Sequence, residues 1–156
     1  MNIYSYLDRS SIQAGLKASD KEDLINELVD LLEPKVSKGQ LEKIRESVFD
    51  REKIMSTGVG KQLAIPHGKC PSIDNIFASF AILDNPVDFN SIDNEPVKMV
   101  FLLVGPESKS NNHIKLLSRI SRLMNSSSFR EKLLNCQSAD EIYETFQNEE
   151  KQYFGS

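Results

Sequence analysis

The chain has 156 residues, 39% of them apolar and 27% charged, with a formal net charge of -4 and a pI near 5.3. That length suits one domain with a real core, and that composition excludes general disorder. The acidic balance speaks against nucleic acid as a partner, two cysteines make no disulfide framework, and no apolar run approaches the ~20 residues of a membrane span.

The opening "MNIYSYLDRS" has no basic stretch followed by an apolar one, so it does not read as a signal peptide. With so few cysteines, the reading is a protein of the reducing cytoplasm, not inserted in the membrane. "IQAGL" (12–16) reads as a first short strand. "SDKE" (Ser19 to Glu22) has the form of a capping box, in which serine accepts from an early backbone N–H and the acid reaches back. Behind it Leu24, Ile25, Leu28, Leu31 and Leu32 recur at helical spacing. A second box, "SKGQ" (Ser37 to Gln40), opens a helix striped by Leu41, Ile44 and Val48.

Further on, "QLAI" (62–65) reads as a short strand. "IFASFAIL" (76–83) and "VKMVFLLV" (97–104) are almost continuously apolar, as strands covered on both faces are. The segment 84–96 between them is turn-rich. Three helices close the chain, with caps predicted at Ser110, Ser128 and Ser138. The order predicts a single α/β domain, a mixed sheet of about five strands with helices on both faces, over residues 1–148. Residues 149–156 read as a short loose tail, and the acidic runs near the C-terminus as solvated helix faces.

Three cationic or titratable groups break the local pattern. His67 stands between Pro66, which stiffens the backbone and extends Ile65, and Gly68, which is read as letting the chain turn away. A lone histidine in a turn often has no task. His113, counted from Ser110 as N-cap, falls at the third helical position, on the apolar stripe with Leu116, Leu117, Ile120 and Met124. By itself it would be an ordinary hydrogen-bonded core histidine, but a helix N-terminus also favours anions. Arg51 takes what is read as the next inward step after Leu41, Ile44 and Val48. It is either a snorkelling or ion-paired arginine or a guanidinium directed at an anion.

Together the three describe a small anion pocket fit for phosphoryl transfer. Imidazole is a neutral nucleophile near pH 7 and the other two groups can offset phosphoryl charge. No G-x-x-x-x-G-K-[ST] loop or complete dinucleotide glycine pattern occurs, so no nucleotide cofactor is predicted. A zinc set of His67, Cys70, His113 and Cys136 lacks finger-type spacing, and a Cys70–His nucleophilic pair is weaker still. No metal is predicted.

The stretch "REKIMSTGVGKQLAIPHGK", with "LKASDKEDLINELVDLL", "PVDF", "EPVKMVFLLVGPE" and "FREKLL", resembles enzyme IIA domains of the fructose, mannitol and nitrogen-regulatory type in the bacterial phosphotransferase system. The resemblance runs from about Met1 to about Phe146. It implies a mixed sheet covered by helices and a phosphotransferase relay. A phosphoryl group derived from phosphoenolpyruvate would pass from the phosphohistidine carrier HPr to the "IPHG" histidine, His67. It would then move to an acceptor, commonly a IIB domain, for uptake of a fructose- or mannitol-type sugar. The alternative is a nitrogen-type regulator that signals by binding target proteins. By the same resemblance His113 and Arg51 are the supporting site residues. Two features depart from the family's habit: Lys61 and Gln62 stand where Gly-Asn is common, and Asn111 and Asn112 where an acidic pair often precedes the second histidine.

Overall fold

The computed structural model describes residues 2–155. Six strands form one mixed sheet: β1 (Ile12–Leu16), β2 (Gly58–Gly60), β3 (Leu63–Ala64), β4 (His67–Lys69), β5 (Phe77–Val87) and β6 (Val97–Gly105). Five helices accompany them: α1 (Lys21–Asp30), α2 (Lys38–Ile54), α3 (Ser110–Met124), α4 (Ser127–Leu134) and α5 (Ala139–Phe154). The strand order is β1-β5-β6-β3-β2, with β4 also on β6. β1 runs parallel to β5, β5 antiparallel to β6, and β3 and β4 parallel to β6.

Alternation along β6 explains the layers. Met99, Phe101 and Leu103 face a core closed by α3, α4 and α5, where Phe80, Phe129 and Phe146 also pack. Val100, Leu102 and Val104 face the other core, with Leu24 and Leu28 of α1 and Ile44 and Val48 of α2. Strands buried on both faces read as continuous apolar runs, which is why β5 and β6 stand out in the sequence.

The sheet has six strands against an expected count of about five; β2 and β4, which the sequence did not mark, carry too few apolar residues to show a pattern. β3 and β4 lie end to end beside β6 and keep the same register offset, Leu63 opposite Met99 and His67 opposite Leu103. The break between them falls at Pro66, which has no N–H to give, though its carbonyl accepts from Leu103 N at 3.1 Å. His67 therefore sits in a strand and not in a turn. Gly68 has no left-handed φ. It is small because α2 passes close by: a Cβ there would meet Ser47 Oγ at 2.8 Å and the Val48 nitrogen at 3.1 Å.

Caps hold at Ser37 and Ser138 but shift elsewhere. Asp20, not Ser19, caps α1 by accepting from Asp23 N, and Ser126, not Ser128, caps α4. At α3 a 3₁₀ turn (Glu107–Lys109) runs straight into the helix, so Ser110 is its first residue and His113 lies one step deeper than the sequence suggested. The turn-rich segment loses its first four residues to β5, which runs to Val87 through a register shift. A second irregularity marks the outer strand β1, where Gly15 takes φ +75 and the register slips between Ala14 and Leu16.

Nor is the C-terminal segment a loose tail. Helix α5 runs to Phe154 and carries Glu150, fully buried, into the core. The Glu150 carboxylate accepts from Ile3 N and Tyr4 N, each at 2.8 Å, and from Arg119 Nε at 3.1 Å. An acid in an apparently solvated run is thus the clasp between the two ends of the fold.

Candidate functional site

The strand parity that buries Leu63 and Ile65 in the α3–α5 core also turns His67 towards α3. There it meets His113, ring centroids 5.8 Å apart and planes at 62°. His67 is half-buried. Its Nδ1 lies 2.9 Å from the Ile65 carbonyl oxygen. A carbonyl only accepts, so Nδ1 carries the proton and Nε2 keeps its lone pair free. Burial pushes the His67 pKa below its ordinary value, and the charges of Arg51 and Lys69 add to this against the opposing Ile65 bond and Glu52. The ring is neutral at pH 7.

His113 is only 2% exposed, and neither ring nitrogen has a hydrogen-bond partner among the described residues. Buried polar atoms are nearly always satisfied. Two nitrogens without a protein partner on one buried ring, set against His67, mark His113 as a candidate site residue. Burial first, then His67 and Lys69, push the His113 pKa down to about 4. Room for the ring comes from Gly105, whose Cβ would approach His113 Nδ1 to 3.5 Å. The first turn of α3 holds no acid, but Glu107 in the 3₁₀ turn before it acts on His113 and opposes the downward shift.

Arg51 lies in the last turn of α2, half-buried, with Nη1 donating to the Met55 carbonyl at 2.8 Å. The inward step after Val48 belongs to Glu52, 8% exposed, and not to Arg51. Arg51 is displaced one position around the helix, where its charge acts on His67. The structure thus brings the three sequence-derived residues together. Sequence reasoning missed Glu52, Thr57 and Gly105. The interruption of an apolar stripe by Glu52 was the available signal.

A recess of about 540 Å³ lies between α1 and α2, lined by Lys21, Glu22, Ile25, Phe49, Glu52 and Lys53. The scattered zinc set does not assemble: Cys136 packs against the Lys132 carbonyl and Thr145, and among the described residues no three His, Cys, Asp or Glu side chains gather as metal ligands do. Nor, among them, is any helix long and apolar enough to cross a membrane.

Residues 5–149 match the family model of the phosphoenolpyruvate-dependent sugar phosphotransferase system, EIIA 2. The chain belongs to this EIIA 2 family. EIIA 2 proteins are phosphotransferase components, and the chain is similar to members with different names. It is 39% identical over 144 residues to a nitrogen regulatory protein of Bradyrhizobium diazoefficiens, covering 92% of this chain and 93% of that one. It is 31% identical over 151 residues to the fructose-specific EIIABC component of Bacillus subtilis, covering 97% of this chain but only 24% of that longer protein. Among solved structures, nitrogen regulatory protein IIA-Ntr from Neisseria meningitidis superposes with a TM-score of 0.86 at 32% identity, covering 92% of this chain and 98% of that one. Mannitol IIA of Escherichia coli, at 23% identity and a TM-score of 0.74 over 90% of this chain and 98% of that one, shares the EIIA 2 fold.

Proposed function

We propose that this chain is a histidine phosphocarrier, in which His67 accepts a phosphoryl group on Nε2 from the phosphohistidine of an HPr-type protein and passes it to an acceptor protein. The observation that carries this reading is the Nδ1–H bond from His67 to the Ile65 carbonyl, which leaves Nε2 free beside the unpartnered His113 ring. In the step, the Nε2 lone pair forms the new bond to phosphorus. The donor's P–N bond breaks and its electron pair returns to the donor ring. Positive charge grows on the His67 ring, and the Ile65 carbonyl, already accepting from Nδ1–H, stabilises it. Arg51 and the N–H of neutral His113 offset charge on the phosphoryl oxygens. No nucleotide or metal takes part.

Apolar side chains stand exposed beside the site. Ile54 and Met55 lie just past Arg51 in the chain, and Ile114 follows His113. Such a rim suits transient docking of a carrier or acceptor. We take the acceptor to be a IIB domain serving fructose- or mannitol-type sugar uptake, with transfer in the cytoplasm. A neighbour solved as mannitol IIA with phosphorylated IIB shares the fold. A second reading, signalling through regulatory target proteins, is favoured by the 39% identity to a protein named for nitrogen regulation.

The test is incubation with enzyme I, HPr and labelled phosphoenolpyruvate, with excess chelator present. Acid-labile label should appear on the wild type and be absent from a folded His67→Ala variant. Undiminished label on that variant would sink the assignment. Onward transfer to a IIB domain supports sugar uptake; capture of a target protein by only one phosphorylation state, without onward transfer, supports the regulatory reading.

A further inference from the structure

Glu52 is a carboxylate where neither the helix nor the core favours one. It continues the buried stripe of Leu41, Ile44 and Val48, where an apolar residue would pack at no desolvation cost. It also lies in the last turn of α2, at the negative end of the helix dipole. Two local rules broken at one position point to a task.

Its partners show what the task is. One carboxylate oxygen accepts from Thr57 N at 2.7 Å, the other from the Thr57 hydroxyl. Lys21 Nζ, 3.0 Å from the carboxylate, supplies the counter-charge and is itself held by the Phe89 carbonyl at 3.3 Å. The Thr57 carbonyl accepts from Ile65 N at 2.9 Å, and the Ile65 carbonyl accepts from His67 Nδ1 at 2.9 Å. On the near side of Thr57, the same loop presents the Met55 carbonyl to Arg51.

We propose that Glu52 is the positioning residue of this site, fixing Thr57 and thereby both the Ile65 carbonyl that sets the His67 tautomer and the Met55 carbonyl that orients Arg51. Its meaning for catalysis rests on the phosphocarrier reading above; its hold on the His67 ring does not. The carboxylate touches neither nucleophile nor phosphoryl group. It acts through one residue, Thr57, whose N–H and hydroxyl it takes together while the Thr57 carbonyl serves the strand that leads to His67. Lys21 gives the buried carboxylate an ion-pair partner at 3.0 Å.

The experiment compares wild type, Glu52→Gln, Thr57→Ser and Thr57→Val. The His67 tautomer is read by ¹⁵N NMR of the imidazole, and transfer from phospho-HPr by rapid quench over a range of donor concentrations. Wild type should show Nδ1–H. Glu52→Gln should move His67 towards the Nε2–H form that neutral imidazole prefers in water. It should lower the transfer rate constant by roughly 10²-fold, the scale of a small misplacement of reacting groups, with donor half-saturation little changed. Thr57→Ser, which keeps both bonds, should behave as wild type, and Thr57→Val should shift both readouts in the Glu52→Gln direction. Should Glu52→Gln not fold, the Thr57 pair decides alone. A folded Glu52→Gln with an unchanged His67 spectrum and wild-type transfer overturns the proposal, as does Thr57→Val matching Thr57→Ser. If wild type takes no phosphoryl group from phospho-HPr, the functional reading fails, while the NMR comparison still decides whether Glu52 sets His67.

Discussion

The rings of His67 and His113 meet edge to face at 5.8 Å, one on a three-residue strand and the other on the first turns of α3. Because His113 is buried and held neutral, with a pKa of about 4, it adds no positive charge beside the neutral His67 ring. Its cost appears in acid.

The unfolded chain would protonate this histidine near pH 6.5, whereas the folded chain resists until about pH 4. Between those values the unfolded state binds more protons, so stability falls as pH drops through that window and is unaffected above it. The depressed pKa of His67 acts in the same direction. A shift of this size corresponds to roughly 3 kcal/mol when the window has been crossed. Urea unfolding of wild type and His113→Gln at pH 7.5, 6 and 4.5 measures it. The stability difference between the two proteins should move in favour of the variant as pH falls, and a pH-independent difference would contradict the assignment.

Arg51 uses one nitrogen on the Met55 carbonyl and has others left for an incoming group. Lysine keeps the charge but cannot hold the carbonyl and present a planar pair of donors at once. Arg51→Lys should therefore slow phosphoryl transfer by roughly 10²-fold and leave urea stability nearly unchanged. Rapid-quench kinetics beside urea melts would show it; wild-type rates would remove Arg51 from the site.

Gly68 allows α2 to lie against β4. Gly68→Ala would press a methyl group on Ser47 and the Val48 backbone, with a cost of about 1–3 kcal/mol. The displaced helix carries Arg51, so transfer per folded molecule should fall as well. Equilibrium unfolding and rapid quench on one preparation check both effects, and loss of stability with full activity would mean that α2 adjusts without moving its last turn.

Glu150→Ala strands the N–H groups of Ile3 and Tyr4 and leaves Arg119 without its partner. The expected loss is roughly 3–5 kcal/mol, the scale for removing one member of a buried pair. Hydrogen exchange should quicken at residues 3–6, whereas transfer per folded molecule should hold.

The sequence shows what periodicity can carry. β5 and β6 announce themselves because both faces are buried, and α1 and α2 because their apolar residues recur every three or four positions. β2 (Gly-Val-Gly) and β4 (His-Gly-Lys) carry no such signal, since their place comes from pairing with neighbours already in the sheet. His67 and His113 were legible as residues out of keeping with their surroundings. Arg51 was legible too, but assigned to the inward step that Glu52 holds, because a stripe of three and four residues leaves two adjacent positions open. Glu150 was illegible for another reason: in sequence it is one acid among several, and only the contact with the far end of the chain distinguishes it.

The bulge at Gly15 bears on how copies of the protein behave when crowded. β1 ends the sheet, and a straight outer strand offers its free backbone groups to any passing strand. With φ at +75 and the register slipping between Ala14 and Leu16, this one bends out of line after three paired residues. A neighbour that began to pair there would lose step before a ladder could form. The irregularity makes β1 a poor template for edge-to-edge pairing, on the far side of β5 and β6 from His67.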